Sequence, residues 1–167
     1  MNFLVIGLGS MGKRRIRCLK TLGITKIYGF DSRNDRCQEV QQENNIKTFD
    51  NFEESINSSK ADALIISVPP SAHHIYIKNA IKHNIHFFVE ASVVDDDYDI
   101  IINDLKKINI VAAPSATTIF NPAFKIISDL VNSGELGVVS NVVHHKGQYS
   151  PDWHPYENVE EYYVSTP

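Results

Sequence analysis

A chain of 167 residues with 43% hydrophobic content has the length of one domain, or of one domain joined to part of a second, and enough apolar matter for a core. Its formal net charge of −4 argues against a general nucleic-acid binder. No apolar run approaches a membrane span and no basic segment precedes an apolar one at the N-terminus, so a cytoplasmic protein without a signal peptide or membrane anchor is expected.

The first apolar run, Phe3-Leu4-Val5-Ile6, leads into Gly7-Leu8-Gly9-Ser10-Met11-Gly12. The spacing is G-x-G-x-x-G between a strand and a helix. Gly7 suits a tight turn, Gly9 a close approach to a diphosphate, and Gly12 a helix packed hard on its strand. The unpaired amides of the helix start, aided by its dipole, then face the phosphates. These six residues are the first expected cofactor contacts. Lys13-Arg14-Arg15 and Arg17 form the one dense basic cluster, facing either phosphate or water. Ile16, Leu19 and Leu22 recur at helical spacing, and Gly23 ends the helix.

A second strand over 27–31 ends in Asp31, nineteen residues after Gly12, close to the roughly twenty-residue offset at which an acid meets the ribose 2′-hydroxyl. Ser32 is placed to cap a helix over 33–44 whose inner face carries Cys37 and Val40. A short strand follows at 46–49, and Asn51 with Glu54 reads as a capping box. Ala63 to Val68 is continuously apolar rather than alternating, which indicates a strand covered on both faces of a parallel sheet. Pro69-Pro70 stops it, and a helix over 71–83, a strand over 85–90, a helical face of Tyr98, Ile101, Ile102, Leu105 and Ile108, and a strand over 110–113 complete the pattern. Alternating strands and helices with short joints imply an α/β doubly wound parallel sheet, a Rossmann dinucleotide-binding domain over 1–118.

Beyond it, Asn121-Pro122 start a helix through Ile126, Ile127, Leu130 and Val131 that stops at Gly134, and 138–149 reads as one long strand. An aromatic stretch, Pro151-Asp152-Trp153-His154-Pro155-Tyr156, follows, as a substrate mouth or as apolar anchors. One helix and one strand cannot bury a core, so 119–167 is expected to open an α+β substrate and oligomerisation domain that is cut short. The long strand would leave an unpaired edge, which predicts a homodimer through 138–149. Cys18 and Cys37 lack C-x-x-C spacing and are expected as reduced, partly buried thiols. The histidine pairs His73-His74 and His144-His145 do not converge, so no metal site is expected.

The glycine motif, Asp31, Ser67-Val68-Pro69-Pro70-Ser71-Ala72-His73, Phe88-Val89-Glu90-Ala91-Ser92 and Ser133-Gly134-Glu135-Leu136-Gly137 together resemble the Gfo/Idh/MocA oxidoreductases, the glucose–fructose oxidoreductase and inositol dehydrogenase family. The resemblance implies NAD or NADP bound at the carboxyl ends of the strands and hydride exchange with a carbon of a sugar, polyol or nucleotide-sugar-like substrate. It places Val68, Pro69, Pro70 and His73 beside the nicotinamide ribose, and Glu90 and Ala91 near the nicotinamide. The tail from Gln148 to Pro155 resembles members encoded with bacterial surface-sugar pathways.

The chain departs from the family where Glu-Lys-Pro is usual, reading Glu90-Ala91-Ser92, and Ile119 stands where many relatives carry an arginine. The usual acid/base lysine is therefore missing and the catalytic residue is unknown. His73 is the candidate kept, against the alternative of a helix-start histidine packing on ribose or proline; Ser92 has no base beside it. Asp31 favours NAD, while Arg33, next to Ser32, would suit the 2′-phosphate of NADP. A second function also fits: a dinucleotide-binding or interaction module without redox chemistry.

Overall fold

The strand Ala63–Ile66 is buried at all four positions, as its unbroken apolar run requires. The reason is its place in the sheet. In the computed structural model, which describes residues 1–92, 94–145, 147, 149 and 152, six parallel strands lie in the order β3-β2-β1-β4-β5-β6. They are β1 (Phe3–Ile6), β2 (Ile27–Phe30), β3 (Lys47–Phe49), β4 (Ala63–Ile66), β5 (His86–Val89) and β6 (Ala112–Pro114). The order reverses between β1 and β4, whose register pairs Phe3 with Ala63 and Ile6 with Ile66. That reversal opens a crevice at the carboxyl ends of the two strands.

The connecting helices are α1 (Ser10–Thr21), α2 (Asn34–Asn44), α3 (Phe52–Ser59), α4 (His73–Lys82) and α5 (Tyr98–Leu105). Because side chains alternate across a strand, the central strands feed two cores. Val5 and Ile65 join Ile16, Leu19, Cys37 and Val40 on the side of α1 and α2. Leu4, Ile6, Leu64 and Ile66 join Ile56, Ile77, Ala80 and Ile101 on the opposite side. Phe52 meets Phe30 and Tyr76 edge-to-face at the second core's end, with Phe52 and Tyr76 ring centroids 5.2 Å apart. The doubly wound α/β expectation holds.

Several local expectations change. Ser32 does not cap α2; Arg33 holds the cap position with no side-chain hydrogen bond, and Ser32 is exposed. The chain leaves β4 at Ser67, passes through a 3₁₀ turn at Pro70–Ala72, and begins α4 only at His73. Asn51 does cap α3, its Oδ1 accepting the Glu54 N–H at 3.0 Å. Cys37 is buried, but Cys18 lies exposed on the outer side of α1 rather than partly buried.

The chain divides into two compact units, Met1–Ser115 and Ala116–Pro167. The second contains a 3₁₀ turn at Thr117–Phe120 and α6 (Pro122–Asn132). Asn121 caps α6 by accepting the Ala123 N–H at 2.9 Å, and Gly134, at φ +77°, follows its end. The strand expected over 138–149 is not formed at 138–145. A strand must share its ladder with a neighbour, and the described residues of this unit offer none. Val138 is 97% exposed. Lys146, Gln148, Trp153, His154 and Tyr156 lie outside the described residues. No helix is long and apolar enough to cross a membrane among the described residues.

Candidate dinucleotide-binding site

The glycine loop is built by close approach. Gly7 sits at φ +85°, and a Cβ there would lie 2.7 Å from the Ser67 carbonyl oxygen. A Cβ on Gly12 would lie 1.8 Å from the Gly7 carbonyl oxygen, so the first turn of α1 rests directly on the loop. The helix ladder starts with the Lys13 N–H donating to the Gly9 carbonyl, and no side chain caps the end. The amides of Ser10, Met11 and Gly12 therefore precede the ladder and are available to an anion. Among the described residues, the Arg36 guanidinium alone comes within 4 Å of where a Cβ on Gly9 would stand, at 3.7 Å. The Leu8 side chain is fully buried, so only its backbone belongs to the site.

Asp31 ties this loop to β2. Its Oδ2 accepts the Leu8 N–H at 2.8 Å and its Oδ1 the Arg33 N–H at 3.0 Å, with Arg36 Nη1 3.5 Å from Oδ2. The carboxylate is buried, yet a carboxylate oxygen can accept two hydrogen bonds and Oδ1 accepts one, so capacity for a ribose hydroxyl remains. It faces the glycine loop. Arg33, the residue expected to welcome a 2′-phosphate, instead forms a two-pronged pair with Asp35 at 3.1 and 2.5 Å. That pair draws the Asp35 carboxyl below the usual carboxylate range. A cleft of about 440 Å³ lies between Leu8, Gly9, Ser10, Lys13 and Arg17 on one side and Arg36 and Glu39 on the other.

The basic cluster of α1 splits by direction. Lys13 pairs with Glu39, Arg15 with Glu90, and Arg14 and Arg17 are exposed. The Arg15–Glu90 pair is bidentate, at 2.5 and 2.8 Å, and the guanidinium also lies 4.8 Å from the Phe88 ring centroid. It joins α1 to the end of β5, and the Glu90 carboxylate raises the Arg15 pKa further. Sequence spacing held no sign of it, because the partners lie 75 positions apart.

At the end of β4, the turn through Val68, Pro69 and Pro70 is held from beneath by His73, which is 1% exposed. Its Nε2 is 2.9 Å from the Val68 carbonyl oxygen, which can only accept, so Nε2 carries the proton. Burial lowers the pKa and keeps the imidazole neutral. His73 is thus a strut under the turn, joined to it through the Val68 carbonyl. Ala91 is exposed and carries no polar side chain. The Ser92 hydroxyl closes its own turn, donating to the Val94 carbonyl at 2.8 Å and accepting the Val94 N–H at 3.0 Å. Among the described residues no three His, Cys, Asp or Glu side chains converge as a metal site would need.

The crevice, the open helix start and the anchored acid form the arrangement that known dinucleotide-binding oxidoreductases share. Across 141 residues the chain is 26% identical to the myo-inositol 2-dehydrogenase of Thermotoga maritima, covering 82% of this chain and 42% of that protein. The structure superposes on myo-inositol 2-dehydrogenase from Lactobacillus plantarum with a TM-score of 0.75 at 19% identity, covering 83% of this chain and 43% of that one. It also matches the WlbA dehydrogenase of Bordetella pertussis, solved in complex with NADH and UDP-GlcNAcA, with a TM-score of 0.73 at 14% identity over 80% of this chain and 43% of that one. The chain spans less than half the length of each of these relatives. Residues 1–95 match the profile of Gfo/Idh/MocA, an oxidoreductase family with an NAD-binding Rossmann fold, and the chain belongs to that family.

Proposed function

We propose that this chain is the cofactor-binding part of an NAD(P)-dependent dehydrogenase that exchanges a hydride with a sugar, polyol or nucleotide-sugar-like substrate, in bacterial surface-sugar metabolism. The observation that carries the reading is the uncapped start of α1 at the end of a glycine loop whose Leu8 amide is held by Asp31. The Ser10, Met11 and Gly12 amides hold the diphosphate, and Asp31 receives the adenosine ribose. Ser32 and Arg33 flank that ribose. The Val68–Pro70 turn, braced by His73, borders the nicotinamide ribose, and Glu90, fixed by Arg15, with Ala91 borders the nicotinamide. The nicotinamide supplies hydride chemistry when bound.

Oxidising a carbinol also requires a group that takes the hydroxyl proton, a role typically worth about a hundred- to ten-thousandfold in rate. Neither Ala91, Ser92 nor His73 meets that need here, so the acid/base group comes from the substrate domain that 119–167 opens. The protein is expected to act in the cytoplasm as a homodimer joined through 138–149, without nucleic-acid or membrane partners. Titration with NADH, followed by nicotinamide fluorescence, tests the reading: saturable binding in the micromolar to millimolar range is expected, and none at millimolar NADH refutes it. Ala91 and the sequestered His73 favour one second reading, a dinucleotide-binding module without redox chemistry. Binding of NADH with no turnover of any polyol by the longest natural form of the protein would select it.

A further inference from the structure

The carboxyl edge of the sheet carries an ion pair with one member from a strand end and the other from α1. Gly7, Ser67 and Glu90 stand side by side there, because the Ser67 N–H donates to the Ile6 carbonyl at 2.8 Å and the Glu90 N–H to the Ile66 carbonyl at 3.1 Å. Glu90 therefore shares the edge that holds the glycine loop. Its carboxylate takes two prongs of the Arg15 guanidinium, at 2.5 and 2.8 Å, and the two side chains are only 15% and 18% exposed. Charges so poorly solvated act strongly on their neighbours. Arg15 is the one cation within salt-bridge distance of Glu90 among the described residues. His73 also feels the Glu90 charge, but burial keeps its ring neutral, and Ala91 and Ser92 carry no charge. Arg15 alone thus cancels the carboxylate.

We propose that Arg15 is a positioning residue that acts through Glu90: by balancing that carboxylate it keeps the site from favouring the oxidised, cationic nicotinamide over the reduced, neutral one. The proposal rests on the dinucleotide reading above, which puts the nicotinamide beside Glu90. The oxidised ring carries a positive charge, and acceptance of a hydride, two electrons with one proton, removes it. An unpaired carboxylate beside the ring would stabilise the cation and leave the neutral form unaffected. The Arg15–Glu90 pair has no net charge and offers both forms nearly the same surroundings. Arg15 thereby sets how readily the bound cofactor gives up or takes a hydride, without touching it.

The two members of the pair should act with opposite sign. NAD⁺, NADH and adenosine 5′-diphosphoribose, which lacks the nicotinamide, are titrated calorimetrically into the full chain, into Arg15→Met, Arg15→Lys and Glu90→Gln, and into the Arg15→Met/Glu90→Gln double variant. In Arg15→Met the preference for NAD⁺ over NADH should rise about three- to tenfold, and in Glu90→Gln it should fall by a similar factor. Arg15→Lys and the double variant should stay within about twofold of the unaltered chain, and adenosine 5′-diphosphoribose should bind all of them about equally. Equal changes for NAD⁺ and NADH in both single variants would make the pair a purely structural tie and overturn the proposal, as would shifts of the same sign. If Arg15→Met failed to fold, seen as lost binding of adenosine 5′-diphosphoribose, the fall in Glu90→Gln would still decide. Failure of the unaltered chain to bind any of the three ligands would overturn the dinucleotide reading and this proposal with it, whereas binding of all three with an unchanged preference in the single variants would overturn this proposal alone.

Discussion

The unit Met1–Ser115 and the unit beginning at Ala116 contrast in how their backbone is satisfied. In the first, every strand is paired, and the central strands β2, β1, β4 and β5 carry side chains into the cores on both faces. In the second, no described residue is buried, and Leu130 alone is partly covered. Yet α6 forms there while the strand-like run after it does not. A helix satisfies its hydrogen bonds within itself, and Asn121 at the cap with Pro122 in the first turn supplies the local signals that start one. A strand's hydrogen bonds belong to a neighbour, so Val138, Val142 and Val143 carry β preference with nothing to pair against among the described residues. Local structure survives without a core; non-local structure does not.

The largest way to break the contrast is at the glycine loop. Gly12→Val places carbon where the Gly7 carbonyl oxygen stands, 1.8 Å away, and that oxygen belongs to a backbone that cannot yield without releasing α1 from the sheet. A loss of roughly 3 kcal/mol or more is expected, read as a collapse of the urea midpoint of the first unit. Gly134→Ala, at φ +77° with no atom within 4 Å, should cost only about 1 kcal/mol of local strain. It should leave that midpoint in place. Equal effects at the two glycines would mean that the units fold as one.

The same distinction explains what was legible in the sequence. The apolar run from Ala63, the glycines and the spacing to Asp31 are local patterns, and the sheet order followed from them. Asp31 was found, but not its bond to the Leu8 amide, because its offset says only that an acid arrives at the crevice. The spacing drew attention to Arg33, two residues from the acid, and none to Arg36. Only the turn of α2 reveals that Arg33 faces Asp35 while Arg36 reaches back over Gly9. The Arg15–Glu90 bridge was likewise invisible, since α1 and β5 meet only once the sheet is assembled. At 138–145 the expected strand is absent for the converse reason: its pattern is a preference, and the ladder it prefers needs a second strand.

A smaller effect sharpens the comparison through burial. The His73 imidazole, depressed by desolvation below the ordinary value of about 6.5, stays neutral in the folded unit, whereas the unfolded chain takes up its proton at higher pH. The unfolded state therefore binds more protons as pH falls below about 6.5, and stability declines from there until the lower folded value is passed. Between pH 7 and pH 5 this group should lower the stability of the first unit. His73→Asn keeps a donor for the Val68 carbonyl but cannot titrate. Its urea midpoint should fall less over the same interval, and an unchanged slope would remove His73 as the cause.

The smallest expected effect bears most directly on the contrast. Ile127 of α6 is 53% exposed, whereas Ile77 of α4 is 3% exposed in the second face of the sheet's core. Truncation to Ala at Ile77 should cost about 2 to 5 kcal/mol, because it deletes buried methyls and leaves a cavity. At Ile127 the same change removes atoms already largely in water, and the better helix propensity of alanine works in its favour, so a shift within about 0.5 kcal/mol is expected. The two variants are compared by urea unfolding at two protein concentrations. A cost near that of Ile77 would mean that α6 packs its apolar stripe in solution. If that cost grew with protein concentration, the covering surface would be another copy of the chain; if it did not, the surface would lie within the same chain, and the exposure of α6 would be wrong.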